Sequence, residues 1–307
     1  MPLPPTVPEL AALDLFLSVV ECGSVSGAAA AHGISQPAAS VRIRRLERRV
    51  GLTLLRRTAG GSVPTAAGEA LAAWARSVLE AAARFDAVAG AVRAETGGRL
   101  RLAASYTIAE YLLPGWLSAL APRLSATAVE LNVANSTVVT ARVLSGAADL
   151  GFVEGITVDH GLDQRTIGHD SLIVVVHPRH PWAQRKTPLR PADLAAARLV
   201  MREPGSGTRE VFEKAIEPLR PGPAPAPLVE LGSSTAVKAA VLDGLGPAVI
   251  SVLVVRNELE TGQLRHVPVP RFTIDRKLRA IWTAGVRPPE VANMFVQHAA
   301  RSSVTPP

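Results

Sequence analysis

A single cysteine, Cys22, stands among the 307 residues, which excludes an intramolecular disulfide and a redox pair within one chain. Its place at the end of an apolar helical segment reads as a small core thiol. No run of about 20 apolar residues free of charge occurs, so no segment is expected to span a bilayer. The opening residues, MPLPPTVPEL, lack a basic stretch followed by an uninterrupted apolar one, so they do not read as a secretory signal. A soluble, cytoplasmic chain is the expectation. Reactive arrangements are scarce as well. The HPRHP segment offers His177 and His180 but no third ligand, so no metal is expected. GSGTR, residues 205–209, lacks the lysine and the spacing of a phosphate-transferring loop. With no nucleophile–base pair in view, neither an enzyme activity nor a cofactor is expected.

What is present is charge, and it is local. The chain carries a formal +7, yet seven arginines and one acid, Glu47, fall between Arg42 and Arg57. The rest is close to neutral. The basic character is therefore a device of one segment, suited to an anionic partner. Hydrophobic residues make up 48% of the chain, ample for two or three domains with sizeable cores.

That basic segment is built as a helix. In ISQPAASVRIRRLERRV, Ile34 to Val50, Ser35 can cap and Pro37 suits the first turn, and no break follows until Gly51. Ala39, Ile43, Leu46 and Val50 share one face, whereas Ser40, Arg44, Arg45 and Arg48 lie away from it. Upstream, Leu13, Phe16, Leu17 and Val20 mark an amphipathic helix over Leu10 to Glu21, ended by Gly23. A short alanine-rich helix follows, capped by Ser24 or Ser26 and closed at His32-Gly33. This order is that of a helix-turn-helix, although generic three-helix bundles share it. Downstream, Leu54 to Arg56 and Ser62-Val63 read as short strands about a turn at Ala59-Gly60-Gly61. Arg56 and Arg57 on such a wing can reach phosphates or a narrow minor groove.

Thr65 can cap a further helix reaching Ala94, with Glu69 in its first turn. Ala67, Leu71, Trp74, Val78, Ala81, Phe85, Val88 and Val92 repeat at alternating steps of four and three, a heptad seam. At 1.5 Å per residue the helix would be roughly 45 Å long, and self-pairing is the expected way to bury the seam.

Residues 10 to 70 resemble the winged helix-turn-helix of the LysR-type transcriptional regulators. The likeness rests on FLSVVECGSVSGAAAAHGISQPAASVRIRRLERRVGLTLLRRT and on VPTAAGEAL, and the following helix is similar to the family's dimerising linker. The resemblance implies that the start of the third helix enters the major groove, with Ser35, Gln36, Pro37 and Ser40 at base edges and phosphates. Gln suits adenine, and Ser suits a base or a phosphate. Arg42, Arg44, Arg45, Arg56 and Arg57 complete the implied DNA surface. Many relatives carry arginine directly after the serine, where this chain has Val41 and then Arg42. Either Arg42 takes over, or Val41 touches a thymine methyl.

After Thr96-Gly97-Gly98, read as a hinge, strands and helices alternate. Strands are expected at Leu100 to Ala104, Val129 to Ala134, Leu150 to Val153, Leu172 to Val176, Leu228 to Leu231 and Leu278 to Trp282. Helices are expected at Leu112 to Leu120, Val138 to Leu144, Thr208 to Ile216, Ala236 to Leu242 and near Val291 to Ala300. Such alternation implies α/β units with largely parallel sheets. PGPAPAP, Pro221 to Pro227, reads as an extended connector. Four expected strand exits carry small hydroxyl residues: Ser105-Tyr106-Thr107, Asn135-Ser136-Thr137, Gly205 to Thr208, and Gly232 to Thr235. Each suits plain N-capping; converging on one cleft, they would form a neutral, donor-rich anion site.

The order of this half, with REPGSGTREVFE and GLGPAVISVLVVRNELETGQLRHVPV, is similar to the family's effector-binding module. The implied fold is α/β with an N-terminal all-α-type winged helix-turn-helix, a long linker helix and two Rossmann-like subdomains of type 2 periplasmic-binding-protein architecture. The implied domains are 1–64, a linker at 65–97 and a regulatory domain at 98–307. Its subdomain I covers about 98–168 and 269–300, and subdomain II about 169–268. Ser105, Thr107, Ser136, Thr137, Glu154, Ser206, Thr208 and Ser233 become the implied effector contacts. The implied partners are palindromic double-stranded promoter DNA, a small effector (an anion by the hydroxyl-rich helix ends), a homodimer or homotetramer, and RNA polymerase. Two other classes compete: a solute-binding component without DNA binding, and an α/β enzyme with an appended oligomerisation domain. The first does not explain the arginine cluster, and the second lacks a catalytic constellation.

Overall fold

The computed structural model describes residue 4 and residues 6–58, 60–124, 127–155, 159–220 and 222–302, with the backbone alone at 87 and 90–97. Ala59 of the expected hairpin turn, Pro221 of the proline-rich connector and the Val92 side chain lie outside these. The chain divides into two compact units, Met1–Phe85 and Asp86–Pro307, each described by itself.

The first unit is a three-helix core with a wing. Helices α1 (Leu10–Cys22), α2 (Val25–Ala31) and α3 (Gln36–Val50) pack through Leu13, Phe16 and Leu17 of α1, Ala28 and Ala29 of α2, and Ala39, Ile43 and Leu46 of α3. The alanines of α2 let the helices approach closely. Gly23 ends α1 in the left-handed region, and the Ser24 hydroxyl, rather than Ser26, accepts from the Gly27 N–H to cap α2. Cys22 departs from expectation, because it is exposed. It closes the last turn of α1 on the side of the helix opposite Leu13, so no neighbour covers it.

Strands β1 (Leu55–Thr58) and β2 (Gly61–Pro64) form the antiparallel wing. The wing is tied to the α1–α2 turn, where the Ser62 N–H donates to the Gly23 carbonyl at 2.8 Å. Gly61, at φ +136°, lies so close to that carbonyl that a Cβ would overlap it. Helix α4 (Ala66–Gly97) follows, with the Thr65 hydroxyl accepting from the Gly68 N–H at 3.0 Å. It buries Ala72 and Ala75 in the head core, yet leaves Trp74 73% and Phe85 77% exposed, with Val78 and Val88 exposed between and beyond them. Of the expected hinge at Thr96-Gly97-Gly98, only the last residue lies outside α4. Thr96 and Gly97 are still helical, and Gly98 turns the chain at φ +62°.

The second unit holds β3 (Arg99–Ser105), α5 (Tyr106–Tyr111), α6 (Leu113–Leu120), β4 (Ala128–Ala134), α7 (Ser136–Leu144), β5 (Leu150–Glu154) and β6 (Leu162–Val176). It continues with α8 (Pro191–Ala195), β7 (Val200–Arg202), α9 (Gly207–Ile216), β8 (Val229–Leu231), α10 (Ser234–Leu242) and β9 (Ala248–Ser251). Helix α11 (Val252–Glu260), β10 (Arg265–His266), β11 (Ile274–Thr283) and α12 (Glu290–Arg301) complete it. The strands form one sheet in the order β4-β3-β5-β11-β6-β9-β7-β8, with β10 beside β6.

The sheet is mixed, not largely parallel. β3 runs parallel to β4 and β5, and β7 to β8 and β9, but β6 and β11 are antiparallel to each other and to their neighbours. These two long strands carry the chain from one half to the other and back, so they must cross the centre in opposite directions. One half packs Leu102, Ile108, Trp116, Phe152 and Phe295 together, with the Trp116 and Phe152 rings 5.2 Å apart. The other packs Leu172, Val174, Phe212 and Ile216 on one sheet face, and Val237, Ile250 and Val254 on the other. Helices cover both faces of the sheet, as its apolar strands require.

Candidate functional site

In the first unit the outward face of α3 is assembled from its own first turn. Ser35 is the cap, its hydroxyl accepting from the Ala38 N–H at 3.3 Å, and Pro37 sits exposed in the first turn. Gln36 is exposed, and its Nε2 donates to the Ser40 hydroxyl at 3.1 Å. That contact occupies one amide N–H and leaves the other, with the carbonyl oxygen, for a partner. Arg42, Arg44, Arg45 and Arg48 of α3 and Arg56 and Arg57 of β1 are all exposed. The nearest acid to Arg45 is Glu9, at 3.9 Å with both side chains in solvent, so it neutralises little. Glu47 is half-buried at the edge of this face. Its Oε1 accepts from the Leu54 and Leu55 N–H groups at 2.8 and 3.2 Å, fixing the wing to α3.

In the second unit the centre is Arg276 of β11, whose side chain is wholly buried. Its Nε and Nη2 reach Asp170 at 2.8 and 2.7 Å. Nη1 donates to Thr208 at 2.9 Å and Nη2 to Thr107 at 3.3 Å, and Glu154 lies 3.6 Å away. Asp170 also accepts from the Ser251 hydroxyl at 2.9 Å, and Ser136 donates to the Glu154 carbonyl at 2.8 Å. Gly207 lets α9 start against that carbonyl, since a Cβ would overlap it. Thr107, Ser136, Glu154 and Thr208, four of the implied effector contacts, are thus brought together around Arg276. Their environment is not neutral, however, because two carboxylates share one guanidinium.

Beside this cluster Arg202 is buried with its guanidinium 4.8 Å over the Tyr106 ring. It donates to both Glu203 oxygens, at 2.8 and 2.9 Å, and to the Ser234 hydroxyl at the start of α10, at 2.9 Å. Burial alone would raise the Glu203 pKa, but the hydrogen bonds and charge of Arg202 outweigh it and hold the carboxyl below its ordinary range. The Ser105 hydroxyl is buried with no hydrogen-bond partner among the described residues. Thr137 donates through both its N–H and its hydroxyl to the Gly205 carbonyl, at 3.2 and 3.3 Å, and Thr235 donates to Glu110 at 2.7 Å. Ser206 is buried at the cap position of α9, where its carbonyl accepts from the Glu210 N–H at 2.9 Å but its hydroxyl caps no N–H group. Ser233 caps α10, accepting from the Ala236 N–H at 3.1 Å.

A cavity of about 620 Å³ opens between α7 and α9. Ser136, Thr137 and Glu154 line it with Arg209, Glu210, Glu213 and Arg279, whereas Ser105, Thr107, Ser206, Thr208 and Ser233 do not. Burial lowers the Arg279 pKa, and its guanidinium donates to the Gly155 carbonyl. In HPRHP the Nδ1 atoms of His177 and His180 accept from the backbone N–H groups of Arg179 and Trp182, both at 3.1 Å, as turn formers do. Among the described residues no group of three or more His, Cys, Asp or Glu is placed to hold a metal ion, and no helix is long and apolar enough to cross a membrane.

The sequence reading missed Asp170, Arg202, Ser251 and Arg276. A signal for the last was present: Ile274, Arg276 and Leu278 alternate onto one buried face of β11, so a charge stands in the core register.

Comparison with known proteins is consistent along the chain. Residues 10–69 match the family described as bacterial regulatory helix-turn-helix protein, lysR family, and residues 93–303 match the LysR substrate binding domain. The chain is 40% identical over 299 residues to an uncharacterized HTH-type transcriptional regulator of Mycobacterium bovis, covering 94% of this chain and 95% of that one. It is 31% identical over 269 residues to the HTH-type transcriptional regulator CysL of Bacillus subtilis, covering 88% and 89%. Among solved structures, the CcmR regulatory domain of Synechocystis PCC6803 in complex with 2-PG is similar at a TM-score of 0.60 and 26% identity, over 67% of this chain and 97% of that one.

Proposed function

The chain belongs to the LysR family of DNA-binding transcriptional regulators with an effector-binding domain, and from that premise we propose which of its surfaces does what. The start of α3 reads base edges in the major groove through Ser35, Gln36, Pro37 and Ser40. Arg42, Arg44 and Arg45 of α3, with Arg56 and Arg57 of the wing, supply phosphate affinity. The observation that carries this reading is the α3 face itself. It gathers exposed arginines around a capped first turn, while the one acid of the segment commits a carboxylate oxygen to the backbone of the wing.

Residues 1–64 form the DNA-binding head, 65–97 the linker and 98–307 the regulatory domain. Two chains pair along the exposed seam of α4, and pairs of dimers form the tetramer on paired half-sites in a palindromic promoter. Contact with RNA polymerase would follow from that position. The reading assigns the chain no catalytic step and places it in the cytoplasm.

The effector is a small anion held between the halves of the second unit by Ser105, Thr107, Ser136, Thr137, Glu154, Ser206, Thr208 and Ser233. Support comes from the buried Arg202, the Ser105 hydroxyl, buried with no hydrogen-bond partner among the described residues, and the similarity to a regulatory domain in complex with 2-PG. Effector binding shifts the population between two arrangements of the halves, and α4 conveys it to the heads.

A mobility-shift titration tests the DNA reading. Affinity for a promoter fragment should fall steeply with salt. Gln36→Ala should lose discrimination between operator and random DNA, whereas Arg56→Ala should weaken both alike. Equal loss on both sequences for Gln36→Ala would remove it as a base reader. For the effector, 2-PG and other small anions should raise the melting temperature of the full chain saturably, and Ser105→Ala should abolish the rise. A rise unchanged in Ser105→Ala would move the site elsewhere.

A further inference from the structure

One side chain on the outward face of α3 does not fit the rest of that face. Ala39, Ile43 and Leu46 are buried, and 3.6 residues per turn put Val41 opposite their mean direction. Its neighbours around that side are Pro37, Arg44, Arg45 and Arg48, all exposed. Val41 itself is 53% exposed. A β-branched side chain in the middle of a helix forms it less readily than arginine or alanine would. It adds nothing to the head core, whose members are drawn from the opposite face. The free chain has no use for a valine there.

Base edges supply one. In the major groove adenine, guanine and cytosine present hydrogen-bond donors and acceptors, and thymine adds an apolar C5-methyl group. Valine methyls laid on a donor or acceptor would remove its water and return no hydrogen bond. Laid on the thymine methyl, they bury apolar surface on both sides. We propose that Val41 is a specificity-determining residue that packs on the C5-methyl of one thymine in each half-site. This rests on the reading that α3 enters the major groove. Leu52, 48% exposed, lines the same shallow depression with Val41, Arg44, Glu47 and Arg48, and so extends the apolar spot toward the wing.

Replacing thymine by deoxyuridine deletes the methyl and leaves every hydrogen-bonding group in place, so it isolates the contact. An operator is selected by the full-length chain from random duplexes, and each thymine is then changed singly to deoxyuridine. At one position per half-site the wild type should bind about fourfold more weakly, the order expected for one methyl group taken out of contact. Val41→Ala should bind the two operators alike, with an unchanged melting temperature and salt slope. Val41→Thr, which keeps one of the two γ-methyl groups, should retain part of the preference.

A wild type indifferent to every deoxyuridine, or a preference that survives intact in Val41→Ala, overturns the proposal. The latter result would leave Val41 and Leu52 as a protein-contact spot instead. If the wild type selects no sequence, the major-groove reading falls and Val41 with it. If it selects one and Gln36→Ala relaxes it, but uracil has no effect, the Val41 assignment fails alone.

Discussion

Glu47 is the acid in a run of arginines, and its charge is spent inside the protein. Its carboxylate oxygen gathers the N–H groups of Leu54 and Leu55 where α3 gives way to the wing. Leu54 is fully buried, so its N–H has no water to fall back on. Glu47→Ala should therefore lower stability by about 1–3 kcal/mol, seen as a lower urea midpoint of unfolding, while Glu47→Gln should recover most of it by keeping a carbonyl acceptor. From sequence alone Glu47 looked like dilution of a basic patch; its role needed the position of the wing. Arg276 is the opposite case. Its place in the core alternation was legible, but its partners Asp170, Thr107 and Thr208 are distant in sequence, and no spacing rule joins them.

At the scale of elements, legibility followed periodicity. The three head helices and the α4 seam are readable because one face of each repeats at a helical period, β3 and β4 because apolar and polar residues alternate along them, and β5 because it is a short apolar run. β6 was seen only in its last third, since its first ten residues, LDQRTIGHDS, carry the strand through mostly polar and half-exposed surroundings. β11 was cut short for the same reason. The mixed direction of the sheet was hidden with them, because those two strands make the crossings. On α4 the seam leaves the head core after its first turns: Leu71 packs against that core beside buried Ala72 and Ala75, while Trp74, Val78, Phe85 and Val88 are exposed. Replacing Trp74 and Phe85 together by serine should shift the chain from dimer toward monomer in sedimentation. The head should keep its thermal transition.

At the scale of the molecule, the second unit is two packed halves held by polar contacts near its centre. Arg202 lies over Tyr106 of the other half and carries Glu203 as its counter-ion. Because the folded pKa of Glu203 is depressed, its pairing stabilises in full above the ordinary glutamate range. That contribution is lost as the pH falls through the depressed folded value. The melting temperature followed downward from neutral pH should drop through that window, and Glu203→Gln should flatten the drop. Inward charges of this kind leave little trace in a sequence, because the neighbouring Arg202 and Glu203 read as an ordinary surface pair.

The bare apolar seam of α4 has a genetic consequence. On the proposed reading, in which chains pair along the seam and α3 reads DNA, a chain that keeps the seam but loses its α3 face would still find partners, and each mixed pair would carry one blind head. Lesions in α3 should therefore be dominant over a wild-type copy in the same cell. Lesions at Trp74 and Phe85, which on that reading would remove the chain from pairing, should be recessive.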